Sequence, residues 1–171
     1  MPGTTVEAEA FDETDLELLE RIEADFDVSL DTLADQLGLS KSAVHYRLKK
    51  LKEKGVVEGV TADLDPEPFG LDMVAITEIS VTHERGYAKS RGAEFADLDG
   101  VEQVYYTMGD VDFVAVLRVQ NRTQMNRVVE AIAGIEGVEE TSSRFVMEEI
   151  STSPKFMSNL SDDTKRNLVD D

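Results

Sequence analysis

A chain of 171 residues with 36 Asp+Glu against 17 Lys+Arg carries a formal charge of −19, which argues against a uniformly basic nucleic-acid binder. The length allows one ordinary domain or two small ones, and 41% hydrophobic residues supply the cores that an acidic disordered tail lacks. The absence of Cys excludes a disulfide framework, a thiolate metal site and a cysteine nucleophile, and two histidines far apart in sequence, His45 and His83, argue against a His-rich metal centre.

Apolar periodicity predicts a first helix over Asp12–Phe26, with Leu16, Leu19, Ile22 and Phe26 on one face and an acidic first turn that suits the helix dipole. A second short helix, Leu30–Leu37, turns Leu30, Leu33, Ala34 and Leu37 inward and stops at Gly38. Ser40 then caps a third helix, Lys41–Lys54, closed by Gly55, whose buried stripe is Val44, Leu48 and Leu51. Val56–Thr61 reads as a short wing strand.

Charge is not spread evenly over these helices. Residues 1–40 hold twelve acids and one base, Arg21, whereas Lys41–Lys54 hold six bases and one acid, Glu53. The third helix is thus locally +5 against −24 for the remaining 157 residues. Its outward face and flanks carry Lys41, Ser42, His45, Tyr46, Arg47, Lys49 and Lys50, and a Gly-containing turn links it to the helix before it. That is the pattern of a helix-turn-helix, whose second helix fits the DNA major groove with its first residues at base edges and its basic residues at phosphates. The bland alternative is a charge run that merely solvates an exposed helix, with His45 an ordinary surface histidine and Tyr46 partly in the core.

Asp63–Asp72, with two of the four prolines, reads as a hinge. Beyond it the pattern predicts strands at Met73–His83, Val101–Met108, Val111–Val119 and Val138–Ile150 and helices at Arg85–Leu98 and Thr123–Ile135. A faint repeat aligns Leu98-Asp-Gly-Val-Glu-Gln with Ile135-Glu-Gly-Val-Glu-Glu, so the order β-α-β-β-α-β splits into two like halves. The fold class is therefore α+β: a winged helix-turn-helix followed by a ferredoxin-like domain with both helices on one sheet face. Val111, Phe113, Ala115, Leu117 and Val119 meet those helices, while Val114 and Val116 lie between Asp112 and Arg118 on the other face. A second chain is expected to cover that face, the alternative being a semi-apolar solvent surface.

In this order, Asp12–Leu19, Leu33–Leu51, Gly55–Val60, Gly109-Asp-Val-Asp112 and Val146–Ile150 resemble the Lrp/AsnC family of transcription regulators, over roughly Phe11–Pro154. The resemblance implies a DNA-binding domain over 1–62, a hinge over 63–72, a ligand-sensing and oligomerisation domain over 73–154 and a tail over 155–171. It implies double-stranded DNA as partner, homodimers that assemble further, often into octamers, and an amino-acid effector between C-terminal domains rather than a cofactor. The family's effector loop falls on Gly109, Asp110 and Asp112, and its polar last-strand residues on Thr141 and Ser143. Carboxylates there suit an α-ammonium and hydroxyls a carboxylate, although Gly109-Asp110 equally suits a plain hairpin turn. Val111 and Met108 depart from the family, which usually has an aromatic and a Ser or Thr there.

The resemblance also admits a sirohaem decarboxylase-like enzyme and an architectural DNA-wrapping protein, but no nucleophile-base pair, metal-ligand spacing or phosphate loop accompanies the first. A non-enzymatic, sequence-specific regulator is the expectation. No stretch approaches the roughly 20 apolar residues that cross a bilayer, and an acidic start is the opposite of a signal peptide, so a cytoplasmic protein with no membrane partner is expected. The blanket acidity fits self-solvation in the salt-rich cytoplasm of a halophilic archaeon. The tail, with Met157, Leu160, Leu168 and Val169 at helix-like spacing, either packs on a subunit or frays.

Overall fold

A computed structural model describes residues 11–25, 27–59, 64–82, 87–152 and 156–169. The chain forms two compact units, Met1–Asp63 with Thr152–Asp171, and Leu64–Ser151.

In the first unit, Asp12 and Asp15 start α1 (Glu13–Ala24) with a reciprocal capping box: the Asp12 carboxylate accepts the Asp15 N–H at 2.7 Å, and the Asp15 carboxylate accepts the Asp12 N–H. The helix stops two residues short of the expected end, and Phe26 lies outside the described residues. Leu18, off the predicted stripe, is completely buried. It shares a side of α1 with Arg21 and Ile22, and Arg21 donates to the Gln36 side chain of α2 (Leu30–Leu37) at 3.0 Å, so this side faces α2. Ser29 caps α2 and Ser40 caps α3 (Lys41–Glu53), each through its hydroxyl.

The expected wing strand does not form over Val56–Gly59, and Val60 and Thr61 lie outside the described residues. After Gly55 the amides of Val56 and Val57 both return to the Leu51 carbonyl, at 2.9 and 3.4 Å. They are spent closing the end of α3 and are not free to make a ladder.

The tail belongs to this unit. A short 3-10 turn, Met157–Asn159, leads into α6 (Asp162–Val169). Met157 is buried in the same core as Leu16, Leu18, Leu33, Val44 and Leu51, and Leu160, Leu168 and Val169 pack against that core. The Phe11 N–H donates to the Leu168 carbonyl.

The second unit is a four-stranded antiparallel sheet in the order β2-β3-β1-β4, made of β1 (Met73–Val81), β2 (Val101–Tyr106), β3 (Phe113–Val119) and β4 (Val138–Phe145). Helices α4 (Tyr87–Ala96) and α5 (Arg122–Ala133, capped by Asn121) supply the second layer. Period-two alternation puts Ala75, Ile79, Val81, Phe113, Ala115, Leu117 and Val119 into one core with Phe95, Met125, Val128 and Ile132. Phe95 meets Phe113 edge-on at 5.2 Å, a geometry worth about 0.5–1.5 kcal/mol beyond its burial.

The repeat has a packing cause. Gly100 and Gly137 sit at φ +90° and +86°, where each turn from helix to strand is tightest. A Cβ on Gly100 would lie 2.9 Å from a Val128 methyl and 3.0 Å from a Val119 methyl. Strand ends are shorter than expected. β4 finishes at Phe145, opposite Ala75, and after it the Val146 N–H donates to the Val74 carbonyl, one residue from the start of β1. Likewise β2 stops at Tyr106 and β3 begins at Phe113, since Thr107 closes the intervening loop with its N–H on the Asp112 carbonyl and its hydroxyl on the Val111 carbonyl. Val111 therefore lies in the loop, half-buried.

Candidate functional site

Helix α3 sorts its side chains cleanly. Val44 and Leu51 are buried; Ser42, His45, Tyr46 and Lys49, at i, i+3, i+4 and i+7, form one exposed stripe with Lys50 at its edge and Lys41 at its start. Tyr46 is 66% exposed, which takes it out of the core. Lys41 lies 2.8 Å from Asp31 and Lys49 lies 3.6 Å from Glu53, both exposed pairs that a phosphate can outcompete. Lys50 has no ion-pair partner among the described residues.

Arg47 corrects the expected set. It lies off the exposed stripe, next to the buried one, and its guanidinium donates to Asp12 and to Asp15 at 2.6 Å each. Two carboxylates raise its pKa above the ordinary guanidinium value, through the hydrogen bonds to Asp12 and then Asp15. Burial works against the Asp12 carboxylate, but its hydrogen bonds to Arg47 and to the Asp15 amide outweigh that and lower its pKa. In this structure Arg47 fastens the recognition helix to the capping box of α1 and is not a free cation for phosphate. The acidic first turn of α1 thus serves Arg47 as well as the helix dipole, and the sequence clue to this pairing is that Arg47 does not share the outward stripe.

At the other candidate site, Gly109 and Asp110 project at the tip of the β2–β3 loop beside a fully exposed Met108, with open space around Gly109. Asp112 is built in: its N–H donates to the Ile79 carbonyl at 3.1 Å and its carboxylate accepts the Val81 N–H at 2.9 Å, so it pins the loop to β1. Thr141 and Ser143 stand on β4, on the far side of β1 from Asp112, opposite Ile79 and Thr77. Ser143 shares a 2.9 Å hydrogen bond with the buried Thr77 hydroxyl. The fold thus brings loop and last-strand residues to flanking positions on either side of β1. His45 lies on the exposed stripe of α3, and His83 lies outside the described residues.

The sheet face without helices carries Val74, Ile76, Val114, Val116 and Tyr105, with Ile76 40% exposed. Two charge groups punctuate it. Arg144 on β4 pairs with Glu78 on β1, and Arg118 on β3 makes ion pairs to Glu102 at 3.1 Å and to Glu149 at 2.7 Å. Hydrogen bonding to their arginines pulls the Glu78 and Glu149 carboxyls below the usual range. Glu149 holds the segment after β4 across this face, a contact that sequence periodicity does not signal.

A turn-linked helix pair with a basic outward stripe, joined to a two-layer α/β domain with a polar loop end, defines a DNA-binding regulator with a sensor module. Residues 11–58 match the family profile for a winged helix-turn-helix DNA-binding domain, and residues 74–156 match the Lrp/AsnC ligand binding domain. The HTH-type transcriptional regulator FL11 of Pyrococcus horikoshii is 32% identical over 136 residues, covering 80% of this chain and 89% of its own. FL11 of Pyrococcus furiosus is 31% identical over the same coverage. Among solved structures, a Neisseria meningitidis transcriptional regulator, NMB0573, in complex with L-Met superposes with a TM-score of 0.81 at 22% identity, covering 88% of this chain and 98% of that one. The Mycobacterium tuberculosis leucine response regulatory protein LrpA superposes at 0.71 with 28% identity, covering 84% and 97%. The chain belongs to the Lrp/AsnC family of transcriptional regulators.

Proposed function

We propose that this protein is a sequence-specific transcriptional regulator that binds double-stranded DNA as a dimer or higher oligomer and is modulated by an amino acid or related small effector. The observation that carries the reading is the exposed basic stripe of α3, in a chain of net charge −19. Lys41, Ser42, His45 and Tyr46 contact the groove and its edge, and Lys49 and Lys50 meet phosphates; Arg47 holds the helix in place. A domain plan of 1–62, 63–72 and 73–154 follows, with 155–171 as an addition to the first.

The exposed apolar sheet face supports a second copy as its cover, because one helical layer leaves it open. A loop tip that projects at Gly109-Asp110 supports an effector pocket completed by a neighbouring subunit, with Asp110 and Asp112 toward an ammonium and Thr141 and Ser143 toward a carboxylate or side chain. The L-Met carried by the neisserial neighbour supports the ligand class. Excess acid spread over the remaining surface supports a salt-rich cytoplasm as the setting. Among the described residues no helix is long and apolar enough to cross a membrane, and no cluster of His, Cys, Asp and Glu suits a metal.

The test is a mobility shift with the protein's own promoter fragment against random DNA at matched high salt. Preference for the promoter, lost in Lys49→Ala/Lys50→Ala, supports the reading. Equal affinity for both DNAs replaces it with an architectural role, and no binding to either ends it.

A further inference from the structure

The C-terminal segment 157–169 lies beyond both family profiles, yet it is bound into the DNA-binding unit by four independent contacts. The Glu23 carboxylate, near the end of α1, accepts three successive backbone N–H groups, from Phe156 at 2.7 Å, Met157 at 2.8 Å and Ser158 at 3.2 Å. Lys165 pairs with Glu20. Met157 is buried in the helix-turn-helix core, and the Leu168 carbonyl accepts the Phe11 N–H. Leu16, Glu20 and Glu23 recur at i, i+4 and i+7, so the segment lies along one stripe of α1. Asp15, which holds Arg47 of α3, and Arg21, which holds Gln36 of α2, lie on other sides of the same helix. Helix α1 is therefore gripped on a different side from the one that meets α2, while the outward stripe of α3 is exposed.

Resting on the reading of α3 as a DNA-recognition helix, we propose that segment 156–169 is a strap that sets operator affinity by fixing α1, and through Asp12, Asp15 and Arg47 the seat of the recognition helix, with Glu23 as its positioning residue. The strap touches no DNA. Its loss lowers the affinity for the operator without removing a phosphate contact. A carboxylate on three amides is a charge-assisted cap, and losing its charge is felt at all three donors.

The test compares full-length protein, Glu23→Gln, Met157→Ala and a chain ending at Ser151, each titrated with the promoter fragment and with random DNA over a range of salt. Amide hydrogen exchange on α1 and on the sheet is followed in parallel. Expected results are a tenfold or greater loss of promoter affinity in Glu23→Gln and in the shortened chain, and an unchanged slope of log affinity against log salt. Exchange should be faster on α1 and 156–158, with the sheet unaltered. Promoter affinity within twofold of the wild type in Glu23→Gln and Met157→Ala overturns the strap, as does a slope that falls by about one, which marks a lost phosphate contact. A wild-type protein with no promoter preference refutes instead the functional reading on which the strap rests.

Discussion

Replacing Arg47 by Gln separates a structural tie from a DNA contact, because the two roles predict opposite signatures. The Arg47 side chain is 28% exposed, Asp15 16% and Asp12 52%. The Asp12 branch is close to a surface pair, worth about 0.5 kcal/mol after solvent screening. A largely shielded, charge-assisted bond such as the Asp15 branch contributes roughly 1.5–2 kcal/mol. Arg47→Gln should thus cost the DNA-binding unit about 2–2.5 kcal/mol, or roughly 8–20 °C in its melting temperature for a unit of this size. Calorimetry at fixed high salt reads this, with the sheet unit's transition as the internal reference. In DNA titrations the slope of log affinity against log salt should stay at the wild-type value. A variant that melts within about 1 °C of wild type but loses about 0.9 from the slope makes Arg47 a phosphate ligand and refutes the tie.

Lys49→Ala and Lys50→Ala should behave in the reverse manner, each lowering the salt slope by about 0.9 with melting unchanged within about 0.5 kcal/mol. Acid should remove the Asp12 branch of the Arg47 tie. The Asp12 pKa is held below its usual 3.8, so this branch is fully present above that value and is lost as pH falls through the lower folded value. The stability gap between wild type and Arg47→Gln, measured by denaturant melts, should be flat from about pH 8 to 5 and narrow by about 0.5 kcal/mol below roughly 3.8; a gap that widens there would count against this. Gly100→Ala places a Cβ against two valine methyls at a φ of +90° and should destabilise the sheet unit by about 2–4 kcal/mol, leaving exchange on α1–α3 alone. In a thermal-shift screen of the twenty amino acids, Ser143→Ala and Asp110→Asn should each weaken any stabilisation the wild type shows, Asp110→Asn without lowering the unliganded melting temperature.

Much of the fold was legible because its units repeat simple rules. Ser40 caps α3 where a hydroxyl precedes apolar periodicity, and β3 alternates with nearly perfect period two. The β-α-β-β-α-β order and the paired Gly100 and Gly137 followed from chain pattern alone. What pattern does not carry is the identity of long-range polar partners. Arg47 counted as a basic residue on a basic helix, and only the position of α1 turns it inward to Asp12 and Asp15. Leu18 broke the stripe of α1 because periodicity assumes one buried side, whereas this helix is enclosed from several. Over Val56–Gly59 the wing residues make no strand for a local reason, the claim of the Leu51 carbonyl on the Val56 and Val57 amides. Glu149 reached Arg118 across the open sheet face through a segment with no periodic signal.

The strap also fixes an order of events in making the protein. Glu23 is separated from its amide donors by 133 to 135 residues, and everything between them includes the whole sheet unit. During synthesis α1, α2 and α3 emerge first but lack Met157, which is buried in their core, so the first unit, begun first, is finished after the sheet. On the strap proposal, a nascent or shortened chain carries a complete sheet unit and an α3 whose seat is not yet fixed.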